Sequence, residues 1–273
     1  MLKLKAYAKI NLALEVMDVK DGYHEVNNIM IPISLYDELE FEKYDSICIE
    51  NDIFKGNNII EKAAKLFFSY TKINGGVKVK LNKNIPSEAG LAGGSSDGAN
   101  TLKGLNILYD RKLSDEELIE LSSKLGSDVG FFIKSTPAIC KGRGEKVFSL
   151  ESNLDSIKLL LIKPNTGLST KLVYENYKYL GGSKEVCISN IKKALKTNDF
   201  KLLKDNIFND LAKTSLSLNK DMKYIYDTLK EKGIDVYVSG SGPTMYLLNP
   251  TEDEVSICKE LFKDEILIEC NTL

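Results

Sequence analysis

The sequence predicts an α+β protein in two lobes, and three observations support that prediction. Residues 2–16 alternate apolar with polar side chains, which is the pattern of half-buried strands. A glycine-rich loop at 84–96 leads directly into apolar residues of helical spacing. Residues 151–156 are polar and unpatterned, and the apolar run 157–162 after them begins a new buried strand. We therefore predict an N-terminal domain of residues 1–152 and a smaller α/β C-terminal domain of residues 153–273.

Strands make up much of the predicted first domain. Alternating or apolar runs bounded by turn residues predict strands at 2–16, 29–35, 39–42, 46–50, 77–81, 138–141 and 145–150. Turn residues predict breaks at Asp21-Gly22, at Tyr36-Asp37, in the loop 51–58 and at Gly142-Arg143-Gly144. The strands are therefore expected to form one sheet, with helices to cover it.

Helices of the first domain are predicted from apolar stripes and capping residues. One follows Asn58, because the residues from Ile59 onward place apolar side chains on one helical face. A second follows the glycine-rich loop, and a third begins at the capping box of Ser114 and Glu117. This third helix is expected to end near Gly126, so that Asp128 lies on a turn to the apolar run 129–133, which is expected to be a strand.

The second domain is predicted to mix strands with helices. After the strand 157–162, helices are expected from residue 170, over 188–204, over 217–232 and from residue 251. Residues 239–244, Ser-Gly-Ser-Gly-Pro-Thr, form a second glycine loop between two short strands, and residues 266–268 supply the last strand. A tight turn is the simplest interpretation of that loop.

Composition limits the classes of function. The chain has 273 residues, of which 43% are hydrophobic and 28% charged, and its formal net charge is −2. That charge favours neither nucleic acid nor an anionic membrane as a partner. The five cysteines are scattered and never spaced as a metal clip, and no apolar stretch is long enough for a signal peptide or a membrane span. We expect a soluble cytoplasmic protein with reduced thiols.

The glycine-rich loop is the strongest functional signal in the chain. Pro86 ends the preceding strand, and the glycines that follow let the backbone turn tightly and expose its N–H groups. Ser95, Ser96 and Asp97 are good residues for the start of a helix, whose positive end favours phosphate. The loop lacks the lysine of a Walker loop and the glycine spacing of a dinucleotide fingerprint. It is therefore either a phosphate site of another kind or a plain turn before a helix.

Residues 86–97, Pro-Ser-Glu-Ala-Gly-Leu-Ala-Gly-Gly-Ser-Ser-Asp, resemble the central motif of the GHMP small-molecule kinases. Further blocks resemble that family in the expected order: Ala-Tyr-Ala-Lys-Ile-Asn-Leu at 6–12, Asp-Gly-Tyr-His at 21–24, Leu-Gly-Ser-Asp-Val at 125–129 and Gly-Ser-Gly-Pro at 240–243. Glu88 and Ala92 depart from the small residues or glycine that many members carry there. The resemblance implies the two-lobed GHMP kinase fold, with ATP held by the N-terminal domain and the active site in the cleft between the domains.

The resemblance also implies roles for single residues. Lys9 and Asp128 would be catalytic, with Asp128 as the general base. ATP would be bound by Asn58, Ile59, Pro86, Ser87, Glu88, Ala89, Gly90, Leu91, Ala92, Gly93, Gly94, Ser95 and Ser96. The substrate would contact Asn11, Tyr23, His24, Lys83, Tyr174, Gly240 and Ser241. ATP would be the phosphoryl donor, Mg²⁺ is expected with it, and a cytidine diphosphate-linked methylerythritol would be the acceptor; no side chain is identified as the Mg²⁺ ligand.

Structural alternatives and two other functions stay open. A lysine on a strand, as at Lys9, is commonly solvent-facing, His24 can simply pack a turn, and Asp128 can be an ordinary turn residue. A GHMP relative that acts on mevalonate, homoserine or galactose would share the phosphate loop but should lack Asp-Gly-Tyr-His and the Tyr174 loop. In a nucleotide-binding module without activity, Lys9 and Asp128 would be incidental.

Overall fold

The computed structural model describes residues 1–20, 22–50, 58–179 and 181–273. The predicted turn residue Asp21 and most of the predicted loop 51–58 lie outside this part of the chain. The strands within it are β1 (Leu2–Lys20), β2 (Tyr23–Tyr44), β3 (Ile47–Glu50), β4 (Gly76–Asn82), β5 (Ala138–Gly142), β6 (Lys146–Ser149), β7 (Lys158–Lys163), β8 (Phe208–Asn209), β9 (Tyr237–Val238), β10 (Met245–Leu248) and β11 (Ile266–Asn271). The helices are α1 (Ile59–Thr71), α2 (Gly93–Leu108), α3 (Asp115–Ser122), α4 (Phe131–Lys134), α5 (Thr170–Asn176), α6 (Glu185–Thr197), α7 (Phe200–Asn206), α8 (Ala212–Leu218), α9 (Lys220–Glu231) and α10 (Glu252–Leu261).

The first sheet is built on the long antiparallel pair of β1 and β2. Its main path runs β3–β4–β2–β1–β8, while β5 pairs with β2 and β6 pairs with β5. Leu39 and Phe41 of β2 pack with Phe67 of α1 and Leu102 of α2 in one buried cluster. The side chains of α1 and α2 therefore cover one face of this sheet, as the apolar stripes predict.

The second sheet has the order β11–β7–β10–β9 and is antiparallel throughout. Its central strand β7 is buried on both faces. Leu159 and Leu161 pack with the apolar face of β1, and Leu160 and Ile162 pack with residues of α9 and α10. A continuous apolar run is what a strand needs when both of its faces are covered.

The α+β fold in two domains is confirmed, and the boundary at residue 152 stays a prediction. Residues from the second half of the chain also reach the first sheet. Strand β8 pairs in parallel with β1, and Thr272 bridges to Ile33 of β2. The two halves therefore share backbone hydrogen bonds as well as apolar packing.

The predicted break at Tyr36-Asp37 is wrong, because β2 runs through it. The pairing with β1 jumps there from Tyr7 with Tyr36 to Ala8 with Ile33, so β2 accommodates extra residues as a bulge. Asp37 is fully buried and accepts hydrogen bonds from the backbone N–H groups of Asn84 and Ile85, the first two residues of the glycine-rich loop. The polar side chain of Asp37 therefore forms internal hydrogen bonds and does not mark a turn.

Three predicted elements differ in type or length. Phe131–Lys134 is a short helix rather than a strand, since a brief apolar run fits either structure. The stretch 188–204 is divided into α6 and α7 at Asn198, which has a left-handed φ of 54°. The stretch 217–232 is divided at Asn219, whose side chain caps α9. In the part of the chain that the structure describes, no helix combines the length and the apolar character needed to cross a membrane.

Candidate active site

A cleft of about 1130 Å³ is lined by residues from both halves of the chain. The predicted site residues that line it are Lys9, Asn11, Tyr23, His24, Asn58, Ile59, Lys83, Pro86, Ser87, Glu88, Ala89, Gly90, Ala92, Gly93, Gly94, Ser95, Asp128, Tyr174, Gly240 and Ser241. Leu91 and Ser96 do not line it, because both side chains are buried in the interior. Their side chains lie behind the loop, and their contact with ATP stays a prediction.

Residues 86–96, hereafter the phosphate loop, end at a helix whose N-terminus faces the cleft. The helix α2 begins at Gly93, two residues before the serine pair, because Ala92 takes a left-handed φ of 55° at the N-cap. The first N–H groups of a helix have no partner within it. Those of Gly93, Gly94 and Ser95 belong to residues that line the cleft, so together with the helix dipole they offer a candidate anion site.

The phosphate loop rests on the second glycine loop, residues 239–244. The Ser239 hydroxyl donates to the Gly90 carbonyl over 3.0 Å, and the Thr244 N–H donates to the Ala89 carbonyl over 3.3 Å. Gly90 has a φ of +73°, and a Cβ there would lie 2.3 Å from the Ser239 carbonyl oxygen. Only glycine allows this approach. The second glycine loop is thus more than a tight turn, because it supports the anion site.

Lys9 is held in one position at the floor of the cleft. Its side chain is 3% exposed, and its Nζ donates to Asn11 Oδ1 over 2.7 Å and to the Gly90 carbonyl over 2.9 Å. Asn11 in turn donates to Asn28 Oδ1 over 2.7 Å. Burial lowers the pKa of Lys9, although the Asp128 carboxylate acts in the opposite direction. Lys9 is therefore not the solvent-facing strand lysine that the alternative interpretation describes.

Asp128 lies in the turn between α3 and α4 and lines the same cleft. Its Oδ1 is 3.6 Å from the position that a Cβ on Gly144 would occupy, so the turn between β5 and β6 approaches it closely. Burial raises the pKa of the Tyr174 hydroxyl, and the Asp128 carboxylate raises it further. Lys9, Asp128 and Tyr174 are thus brought within electrostatic reach of one another from three parts of the chain.

Aromatic side chains gather at one end of the cleft. The His24 ring lies 5.9 Å from Tyr174 and 5.7 Å, edge-on, from Tyr177. His24 Nδ1 is 3.0 Å from the Met17 carbonyl oxygen, which can only accept, so Nδ1 donates and Nε2 is the one ring nitrogen that can serve as an acceptor. Tyr23 is 58% exposed, and the Arg143 guanidinium lies 4.5 Å from its ring centroid. A flat polar ligand fits between aromatic rings of this kind.

Lys83 lies at the start of the phosphate loop between two buried carboxylates. It pairs with Asp37, and its Nζ is 2.9 Å from Asp97 Oδ2. Burial lowers the pKa of Lys83, but the two carboxylates raise it more. Burial raises the pKa of Asp97 to about 7 against the opposing effect of Lys83. Lys83 thus stands beside the start of α2, and its contact with the substrate stays a prediction.

Sequence reasoning missed several residues that shape the cleft. Arg143 was recognised only as part of a turn, and Ser239 only as the residue before Gly240 and Ser241. Asp37 was assigned to a turn. Ser239 could have been found, because it belongs to the same glycine loop as two predicted residues. No sequence pattern connects Asp37 with a loop more than forty residues later, because their contact depends on sheet pairing.

The fold and the cleft are typical of a small-molecule kinase, since a glycine-rich loop at a helix N-terminus, a buried lysine and a carboxylate line one pocket. The model of the GHMP kinases N-terminal domain matches residues 58–136, and that of the GHMP kinases C-terminal domain matches residues 191–264. The chain belongs to the 4-diphosphocytidyl-2-C-methyl-D-erythritol kinase branch of the GHMP kinase family, as its relatives show.

Two relatives and one solved structure support that placement. The enzyme of this name from Caldanaerobacter subterraneus subsp. tengcongensis is 40% identical over 90% of this chain and 87% of its own length. The one from Clostridium beijerinckii is 38% identical over 96% of this chain and 98% of its own. A crystal structure of 4-(cytidine 5'-diphospho)-2C-methyl-D-erythritol kinase aligns with a TM-score of 0.82 at 29% identity, covering 99% of each chain.

Proposed function

We propose that this enzyme transfers the γ-phosphoryl group of ATP to the 2-hydroxyl of 4-diphosphocytidyl-2-C-methyl-D-erythritol, a step of the non-mevalonate route to isoprenoid precursors. The products are the 2-phosphate and ADP. The observation that carries the proposal is that one cleft contains the anion site, the Lys9–Asp128 pair and the aromatic end. ATP use and five free thiols support a cytoplasmic location.

ATP is proposed to bind with its phosphates at the phosphate loop. The N–H groups at the start of α2 would donate to phosphate oxygens, and Asn58 and Ile59 at the start of α1 would border the adenine. Glu88 is exposed, and its Oε2 lies 3.1 Å from where a Cβ on Gly167 would be. The carboxylate therefore extends toward the loop before α5.

The oxygen donors near α2 suit Mg²⁺ bound to the nucleotide. Mg²⁺ prefers oxygen ligands and is commonly shared between one or two side chains and the phosphates of the substrate. Ser95 lines the cleft, and Ser96 Oγ is buried with no hydrogen-bond partner in the described residues. Because Ser95 lines the cleft and Ser96 does not, we assign the Ser95 hydroxyl as the protein ligand of the ion. When bound, the ion would offset negative charge on the phosphates.

The chemical step is assigned to Asp128 and Lys9. The 2-hydroxyl oxygen attacks the γ-phosphorus, the bond from that phosphorus to the β–γ bridging oxygen breaks, and ADP leaves. Asp128 accepts the hydroxyl proton as general base. The Lys9 ammonium, fixed by Asn11 and the Gly90 carbonyl, stabilises negative charge on the attacking oxygen.

The aromatic end is proposed to hold the cytosine. Tyr23 and Tyr174 come from different halves of the chain and can offer stacking to the two faces of the base, worth roughly 1–3 kcal/mol per base. His24 would read its edge, because the Nε2 acceptor matches the exocyclic amino donor of cytosine. Uracil presents a carbonyl oxygen at that position, so this oxygen and His24 Nε2 would be two acceptors that face each other.

ADP release measured with different acceptor alcohols tests the proposal. The assay is run with ATP alone, with the cytidine diphosphate-linked alcohol, and with mevalonate, homoserine or galactose. Stimulation by the cytidine compound only is expected. Stimulation by another alcohol would assign the chain a different substrate, and no stimulation by any of them would favour a binding module.

A further inference from the structure

The phosphate loop is tied at both of its ends to one buried ammonium group. Asp37 Oδ1 accepts the backbone N–H groups of Asn84 at 2.6 Å and Ile85 at 2.8 Å, just before the loop. The other oxygen of Asp37 accepts from Lys83. Lys83 Nζ also donates over 2.9 Å to Oδ2 of Asp97, which lies on α2 directly after the last residue of the loop. One chain of contacts therefore connects β2, the start of the loop and its end.

The ammonium lies directly under the anion site. A Cβ added to Gly93, the first residue of α2, would be 3.0 Å from Lys83 Nζ. The Lys83 side chain is 16% exposed and lines the cleft, whereas Asp37 is fully buried and does not line it. Asp37 thus has no route to a direct contact with a nucleotide, and any effect that it has on ATP must pass through Lys83 or through the backbone of the loop.

The phosphate loop between these contacts has a backbone conformation that its surroundings must stabilise. Glu88 and Ala92 both have left-handed φ values, 50° and 55°, which side chains with a Cβ adopt only at a cost. Such conformations persist where the surroundings hold them. A loop with its N–H groups already in place binds an anion more tightly, because less freedom is lost on binding.

We propose that Asp37 and Asp97 are positioning residues for ATP, which hold Lys83 and the two ends of the phosphate loop in the arrangement that receives the phosphates. This inference rests on the proposed ATP-dependent function. A purely structural ion pair would stabilise the fold without a preference for either substrate. The proposed role instead acts on the ATP side of the cleft and leaves the aromatic end unaffected.

The test compares ATP with the alcohol in Asp37→Asn. The amide can still accept the two backbone N–H groups, but it removes one of the two charges that hold Lys83. Calorimetry with a non-hydrolysable ATP analogue, in the absence of the alcohol, is expected to show binding weakened about tenfold. The KM of the alcohol is expected to change by less than about twofold, because the aromatic end does not contact Asp37.

Glu40→Gln is the matched control. Glu40 lies on the same strand and pairs with Lys3 at the surface, away from the cleft. It should leave the binding of the analogue unchanged. Should Asp37→Asn fail to fold, Asp97→Asn replaces it, because the Asp97 side chain accepts one hydrogen bond, from Lys83, within the described residues.

Two results would overturn the inference. One is binding of the analogue within about twofold of the parent protein in a folded variant, even with a lowered melting temperature. The other is a rise in the KM of the alcohol equal to the loss of ATP affinity. Because analogue binding is measured without the alcohol, a parent protein that binds ATP but phosphorylates no cytidine compound would contradict the proposed function and leave this inference testable.

Discussion

Gly90→Ala is expected to impair stability and catalysis together, because Gly90 is where the phosphate loop meets the second glycine loop. The added Cβ would lie 2.3 Å from the Ser239 carbonyl oxygen and 2.9 Å from that of Gly242. Both are backbone atoms, so neither can rotate aside. The two loops must separate, or the backbone of residue 90 must change conformation.

The magnitude follows from the contacts at this residue. An alanine at a φ of +73° costs roughly 1–2 kcal/mol. The Gly90 carbonyl also accepts from Lys9 and Ser239, and each hydrogen bond contributes about 1 kcal/mol. A loss of about 3 kcal/mol lowers the melting temperature by about 6 °C in a chain of this length. Displacing Lys9 by about 1 Å should reduce kcat by about 100-fold.

The measurement is a melting curve beside the ADP-release assay. Gly94→Ala is the control for stability, since a Cβ there would meet no heavy atom within 4 Å. It should melt within about 2 °C of the parent protein. A Gly90→Ala protein that melts like this control and keeps its kcat would refute the close approach of the two loops as a functional requirement.

The remaining predictions concern the catalytic pair and the aromatic end. Asp128→Asn should lower kcat by about 10²–10⁴-fold with ATP binding retained, and activity within a few-fold of the parent would remove it as the base. Lys9→Ala should also lower kcat, and kinetics of the double variant should show a non-additive loss, because both residues act on one hydroxyl. Tyr174→Ala should raise the KM of the cytidine substrate through lost stacking, whereas an unchanged KM would place the base elsewhere. His24→Ala should reduce the preference for cytosine over uracil in the same linked alcohol; an unchanged ratio of kcat/KM with a lowered melting temperature would make His24 structural.

Local patterns allowed most elements and much of the site to be predicted. The alternation in β1, the start of α1 after Asn58, the capping box at Ser114 and the start of α10 after residue 251 all occur where the sequence places them. Each of these features depends on residues that are close together in the sequence. The phosphate loop was found for the same reason, because a continuous stretch of the chain forms it.

Features that depend on distant parts of the chain could not be predicted. Asp37 was assigned to a turn because its partners, Lys83 and the backbone at 84 and 85, reach it only through the pairing of β2 with β4. The run 129–133 is predicted to be a strand, although Phe131–Lys134 is a helix, because so short an apolar run has no distinguishable period. The burial of Lys9 likewise depends on Gly90, which lies 81 residues away.

The rate of ADP release with the cytidine diphosphate-linked methylerythritol tests the central claim most directly. Without an alcohol, ADP release should be slow. With this substrate, ADP release should rise in proportion to the formation of the 2-phosphate. With Asp128→Asn the stimulated rate should be about 10²–10⁴-fold lower, since the base that accepts the proton is absent. Equal stimulation by mevalonate or homoserine, or a rate of product formation in Asp128→Asn within a few-fold of the parent protein, would contradict the account.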